Sequence, residues 1–202
     1  MRSPSTTIVA GPRPSGASTR VERKACDILT LLSLLREAKS KVGSSAQPNP
    51  EFLRRAIALA TENVVNGRGG PFGAVIVRNG RIVGEGANSV TATNDATAHA
   101  EIVAIRAACK AIGSFRLAGC QLYTSCEPCP MCLSAAYWAR LDAIFFGCCA
   151  ADAARAGFDD AFLYDEFRKD PAARRLPATQ LLSDEAWASM DAWMASPNKV
   201  AY

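Results

Sequence analysis

The chain predicts an α/β layered domain, on three observations. Between residues 51 and 149, segments with helical spacing alternate with short apolar runs. Two of those runs meet at Asn79-Gly80, a two-residue hairpin turn, so the first pair of strands is antiparallel. Each later run is separated from its predecessor by a helical segment, which makes the last strands parallel.

The body starts near Glu51, where FLRRAIALATENVVNG reads as an amphipathic helix to about Asn66. RGGPFG is a turn-rich loop, AVIVRNGRIVGEG the hairpin, and NSVTATNDAT a polar loop. HAEIVAIRAACKAIG (99–113) is a helix with Ile102, Ile105 and Cys109 on one side. QLYTS is a short strand, PMCLSAAYWAR a helix and LDAIFFGCC a buried strand, with short helical pieces from Ala150 to Trp193. Ahead of the body, residues 1–21 are rich in Ser, Pro, Gly and Thr and read as disordered. Residues 22–41 have a helical apolar face, and 43–50 have linker composition. The expected organisation is an N-terminal extension over 1–50 and a folded domain over 51–202.

Composition narrows the function. Of 202 residues, 49% are hydrophobic and 21% charged, as in a soluble globular protein that needs no disulfide staple. No apolar run reaches the ~18 residues that span a bilayer, and the N-terminus lacks an apolar signal core. The eight cysteines therefore default to thiols or metal ligands, and the expected compartment is the cytoplasm. Net charge is +5 over residues 1–50, +2 over 51–149 and −3 over 150–202. The positive excess sits mostly in the extension, which argues against a broad nucleic-acid face on the body.

The chemistry concentrates in two motifs. His99, the only histidine, stands in T-A-H-A-E with Glu101 two residues on; some thirty residues later comes C-E-P-C-P-M-C with Cys129-x-x-Cys132. Together they match the H-x-E … P-C-x-x-C signature of zinc deaminases. Both motifs open helices, whose N-termini favour the thiolates of Cys129 and Cys132. One imidazole and two thiolates give zinc three protein ligands and an open fourth position, the pattern of a catalytic site. Glu101 is placed to move protons beside the metal. Two other readings stay open: Cys126 as a fourth ligand would make the site structural, and Cys129/Cys132 could be a redox pair. Cys109, Cys120, Cys148 and Cys149 lie in apolar segments and read as core. The glycine-rich loop lacks the Lys-Ser/Thr of a phosphate loop.

On GGPFGAVIV, EGANSV, NDATAHAE, LYTSCEPCPMC, AAYWAR, AGFDDAFLY and the terminal NKVAY, the chain resembles the cytidine-deaminase superfamily and, within it, the short bacterial guanine deaminases. The resemblance spans about Glu51 to Tyr202. It implies a three-layer α-β-α fold with a five-stranded mixed sheet, and zinc-dependent hydrolysis of guanine to xanthine and ammonia. It implies that Asn88 holds the base, that Phe72 and Trp138 stack near it, and that an acid of the GFDD segment, Asp160 rather than Asp159, assists. It implies a homodimer that exchanges C-terminal segments, with Tyr202 capping the partner's pocket. Guanosine or a tRNA adenosine remain alternative substrates, and a zinc-stabilised interaction module without chemistry is the alternative from another class.

Overall fold

The computed structural model describes residues 47–158 and 160–201; the expectations for 1–46, Asp159 and Tyr202 lie outside the described residues. Ser45–Tyr202 forms one compact unit. It opens with helix α1 (Pro50–Val65), capped by the Asn49 side chain, which accepts from the Glu51 backbone N–H, with Pro50 in the first turn. Strands β1 (Gly73–Arg78) and β2 (Arg81–Ala87) follow as an antiparallel hairpin. Its turn residues, Asn79 and Gly80, both take positive φ, 51° and 72°, as a type I′ turn requires. The polar loop holds a short helix, α2 (Val90–Thr93).

Helix α3 (Ala100–Ile112) begins at His99 and ends on Gly113 in the left-handed conformation. Strand β3 (Cys120–Cys126), helix α4 (Pro130–Trp138) and strand β4 (Ala143–Cys148) complete the core. The sheet order is β2-β1-β3-β4, with β3 antiparallel to β1 and parallel to β4. Beyond it run α5 (Ala150–Arg155), α6 (Ala161–Arg168), a 3₁₀ turn at Pro171–Ala173 and α7 (Ser183–Ala195).

The central strands are covered on both faces, which is why β1 reads as a continuous apolar run. Val75, Val77 and Tyr123 pack towards Phe52, Leu53 and Leu59 of α1. Ala74, Ile76 and Leu122 pack on the other face with Ala100, Ala104 and Ala108 of α3. The helix lies so close to β2 that a Cβ on Gly86 would meet the Ala100 carbonyl oxygen at 2.2 Å. That contact seats the N-terminus of α3, and with it His99, over the end of the hairpin.

Three expectations are corrected. The described residues form four strands, not five. After Cys148 the chain turns at once into α5: Cys149 and Asp152 cap it reciprocally, and AADAAR is strong helix-forming sequence. Strand β4 is therefore an edge, half-exposed rather than buried, with Phe146 open to solvent. For the same reason Cys148 and Cys149 are exposed and not core, whereas Cys120 is fully buried. Among the described residues no helix is long and apolar enough to cross a membrane.

Candidate metal centre and active site

Two helix starts converge on one point. His99 caps α3 and Cys129 caps α4, with Cys132 in the first turn of α4. Pro130 follows Cys129 at the first helical position, where its missing N–H costs nothing. The His99 Nδ1 lies 3.6 Å from the Sγ of Cys129 and 3.6 Å from the Sγ of Cys132. The three donor atoms lie within 4.8 Å of one another, the one such group among the described residues. A tetrahedral zinc, with Zn–S of about 2.3 Å and Zn–N of about 2.0–2.1 Å, separates neighbouring N and S ligands by about 3.6 Å. The residues fit the ion.

Their electrostatics agree. The hydrogen bond from Cys132, helped by the His99 imidazole, pulls the Cys129 thiol down to about 4. Cys132, as the donor in that bond and buried, is pushed up. The pair thus shares one proton, which a metal displaces on binding. His99 is raised, chiefly by its bond with Cys129.

Cys126 is not a fourth ligand. Its thiol donates to the Cys149 carbonyl oxygen at 3.7 Å, and burial pushes it up to about 11, so it keeps its proton at neutral pH. Three ligands on two rigid helix starts describe an open site rather than a closed structural one.

Glu101 sits one helical position beyond Ala100, only 6% exposed, and burial raises its carboxyl above the ordinary range. The Thr124 hydroxyl of β3 donates to its Oε1 at 3.3 Å. A cavity of about 330 Å³ opens over His99, Cys129 and Glu101, and Asn88, Phe72 and Asp160 line it as well. Phe158 closes one wall, its ring meeting Phe72 edge-to-face at 4.9 Å.

Of the residues picked from sequence, His99, Glu101, Cys129, Asn88, Phe72 and Asp160 meet at this cavity, and Cys132 stands behind it against His99. Trp138 does not. It is 61% exposed and borders a separate concavity with Ile105, Phe115 and Met131, under the Arg140 guanidinium at 5.9 Å. Six residues beyond Cys132 on a helix of 3.6 residues per turn, it points away from the ligand face. Asp160 stands at the N-cap position of α6 and makes no side-chain capping hydrogen bond to it.

The sequence reading does not single out three other groups. Glu127 lines the cavity and accepts from the Ala150 backbone N–H at 3.0 Å, tying α5 to the site. Thr124 holds Glu101, and Asn63 of α1 holds two cavity loops. Glu127 could have been found, since it stands inside the cysteine motif. Thr124 and Asn63 carry no local signal, because their partners are 23 and 25 residues away.

Comparison with known proteins matches residues 46–148 to the family described as the cytidine and deoxycytidylate deaminase zinc-binding region. The chain is 54% identical over 151 residues to the guanine deaminase of Bacillus subtilis (strain 168), covering 75% of this chain and 97% of that one. The X-ray structure of guanine deaminase from Bacillus subtilis matches with a TM-score of 0.75 and 52% identity, covering 77% of this chain and 99% of that one. A shorter stretch of 77 residues is 47% identical to the tRNA-specific adenosine deaminase of Agrobacterium fabrum (strain C58 / ATCC 33970), covering 38% of this chain and 51% of that protein. With its donor triangle and buried glutamate inside the matched region, the chain belongs to the zinc-dependent cytidine and deoxycytidylate deaminase family, in the group that includes the Bacillus subtilis guanine deaminase.

Proposed function

We propose that the protein hydrolyses guanine to xanthine and ammonia. The observation that carries this is the buried carboxyl of Glu101 beside a three-donor zinc site, at the floor of a cavity walled by Asn88 and Phe72. Similarity over nearly the full length of a guanine deaminase supports the choice of base.

His99 Nδ1 and the Cys129 and Cys132 sulfurs would hold zinc, which when bound would supply the Lewis acidity that makes water nucleophilic near neutral pH. The chain's residues do the rest. The Glu101 carboxylate takes a proton from the attacking water and passes it to a ring nitrogen of the base. It then takes the remaining proton from the hydroxyl now on the attacked carbon and hands it to the departing amine, which leaves as ammonia while that carbon becomes a carbonyl. Its burial raises its proton affinity towards the range a shuttle needs. Asn88 hydrogen-bonds the edge of the base and Phe72 covers its face. Asp160 is a second acid lining the same cavity.

The protein acts as a homodimer in the cytoplasm on this reading. No described residue of 150–201 is buried, and α6 and α7 expose Phe162, Phe167, Trp187, Met190 and Trp193. A second copy covering that surface accounts for it, and would bring a C-terminal segment ending in Tyr202 to the partner's cavity. All seven described cysteines are free thiols, as a reducing compartment allows.

The test is ammonia release from purified protein offered guanine, guanosine, adenine, cytosine and cytidine. Guanine alone is expected to be turned over. Turnover confined to guanosine or cytidine, or a requirement for a tRNA, overturns the substrate assignment. No release from any of them favours an interaction module.

A further inference from the structure

Asn63 has no hydrogen bond to the metal donors or the reacting carboxyl, yet its buried side chain ties together two loops of the cavity. It sits on the inner face of α1, 5% exposed, beside Ala56 and Ala60. Its Nδ2 donates one hydrogen to the Gly70 carbonyl at 2.9 Å and the other to the Asn88 carbonyl at 2.8 Å. Both partners are carbonyl oxygens, so the orientation of the amide is dictated by its surroundings.

Those carbonyls belong to two different loops. One is the glycine-rich loop that ends in Phe72; the other follows β2 and carries Asn88. The loops also bond directly, the Asn88 backbone N–H donating to the Phe72 carbonyl at 3.0 Å. The first loop starts from Asn63 as well, because the Arg68 backbone N–H donates to the Asn63 carbonyl at 2.9 Å. The packing leaves no slack: a Cβ on Gly69 would meet the Asn88 carbonyl oxygen at 2.4 Å and the Asn63 Nδ2 at 3.0 Å. A group with two hydrogens on one nitrogen, at this reach, closes the bracket. A carboxylate of the same shape would turn an acceptor towards two carbonyl oxygens.

The geometry points to Asn63 as a positioning residue that sets the spacing of the base-binding wall, acting through Asn88 and the Phe72 loop and not on the chemistry. The inference rests on the reading of Asn88 as the residue that holds the base. Losing the bracket lets the Asn88 loop drift from the other walls of the cavity. The cost then falls on recognition of the base, while the zinc ligands and Glu101, carried by other elements, keep their places.

The experiment is a double-mutant cycle on the full-length, zinc-loaded protein with guanine, with zinc content and melting temperature measured for every variant. Asn63→Ala is expected to keep its zinc, raise KM about tenfold and change kcat by less than about threefold. In an Asn88→Ala background the same substitution is expected to shift KM by less than about twofold, because its effect travels through Asn88. If Asn63→Ala does not accumulate as folded protein, Asn63→Ser, which retains one donor, is held to the same standard. An unmoved KM in a folded variant, a fall confined to kcat, or an undiminished shift in the Asn88→Ala background overturns the inference. Asn88→Ala alone separates the two readings. If it leaves KM unchanged, the base-binding assignment fails and the inference with it. If it raises KM while Asn63→Ala does not, only the role of Asn63 is lost.

Discussion

Residues 99–139 and residues 150–201 are of similar length and both rich in helix, but they treat their apolar side chains in opposite ways. The first region sinks Ala100, Ala104, Ile105, Leu122 and Cys132 into the core and sets its functional groups on two helix starts. The second contributes no buried hydrophobic residue at all among the described ones, although it carries Trp187, Met190 and Met194 at helical spacing along α7. A region that packs against its own sheet can hold ligands to within fractions of an ångström. A region with an apolar stripe and nothing beneath it is built to be completed by something else. The metal centre is therefore built by the first region alone, while on the homodimer proposed above the second region is completed by a partner copy.

The sharpest way to break that division is at Glu101. Glu101→Gln keeps the side chain's volume and leaves the zinc donors untouched. Activity is expected to fall by about 10²–10⁴-fold while the protein binds one zinc per chain and keeps its oligomeric state. Ammonia release and metal analysis on the same sample check it. Retained activity would remove the proton shuttle from this carboxyl, and lost zinc would mean the acid supports the metal instead.

The next largest effect is expected at the other end. On an isolated chain, the joint replacement Trp187→Ala and Trp193→Ala touches only exposed surface and should alter stability by less than about 0.5 kcal/mol. Within a dimer interface, two buried tryptophans contribute about 2–4 kcal/mol of association. The expected outcome is a shift from dimer to monomer at micromolar protein in analytical ultracentrifugation, with activity falling in parallel. A variant that sediments as the parent does would leave the apolar stripe of α7 without a partner.

The contrast between the two regions also explains what the sequence discloses. The ligand set and Glu101 are legible because their chemistry is confined to short motifs, H-x-E and C-x-x-C, at helix starts. The hairpin is legible because Asn79-Gly80 suits one turn. The edge character of β4 is hidden, because AIFFGC reads the same whether a fifth strand covers it or not. Trp138 is misplaced for a related reason: its resemblance to a base-stacking residue says nothing of which way the end of α4 faces. Long-range ties such as Asn63 to Asn88 leave no local mark, and neither does the close approach at Gly86. Gly86→Ala tests that last contact. Its Cβ would collide with the Ala100 carbonyl next to His99, so it should cost about 1–3 kcal/mol and weaken zinc retention. Thermal melting and competition with a chelator measure both.

The smallest effect concerns pH and belongs wholly to the buried end. Cys126 is held protonated, its thiol pushed up to about 11 chiefly by burial, from an ordinary value of 9.0. Raising the pH from about 9 to 11 lets the unfolded chain release that proton while the native state retains it. The unfolded state binds fewer protons over this window, so stability falls as pH rises, by about 1–2 kcal/mol from this group. Below pH 9 the thiol is protonated in both states and contributes no slope. In Cys126→Ala the alkaline limb of the stability curve should be shallower than in the parent by that amount, whatever the substitution does to stability at pH 7. Denaturant unfolding at pH 8, 9.5 and 10.5 gives the two slopes, and parallel curves would mean that the thiol ionises as easily in the fold as out of it.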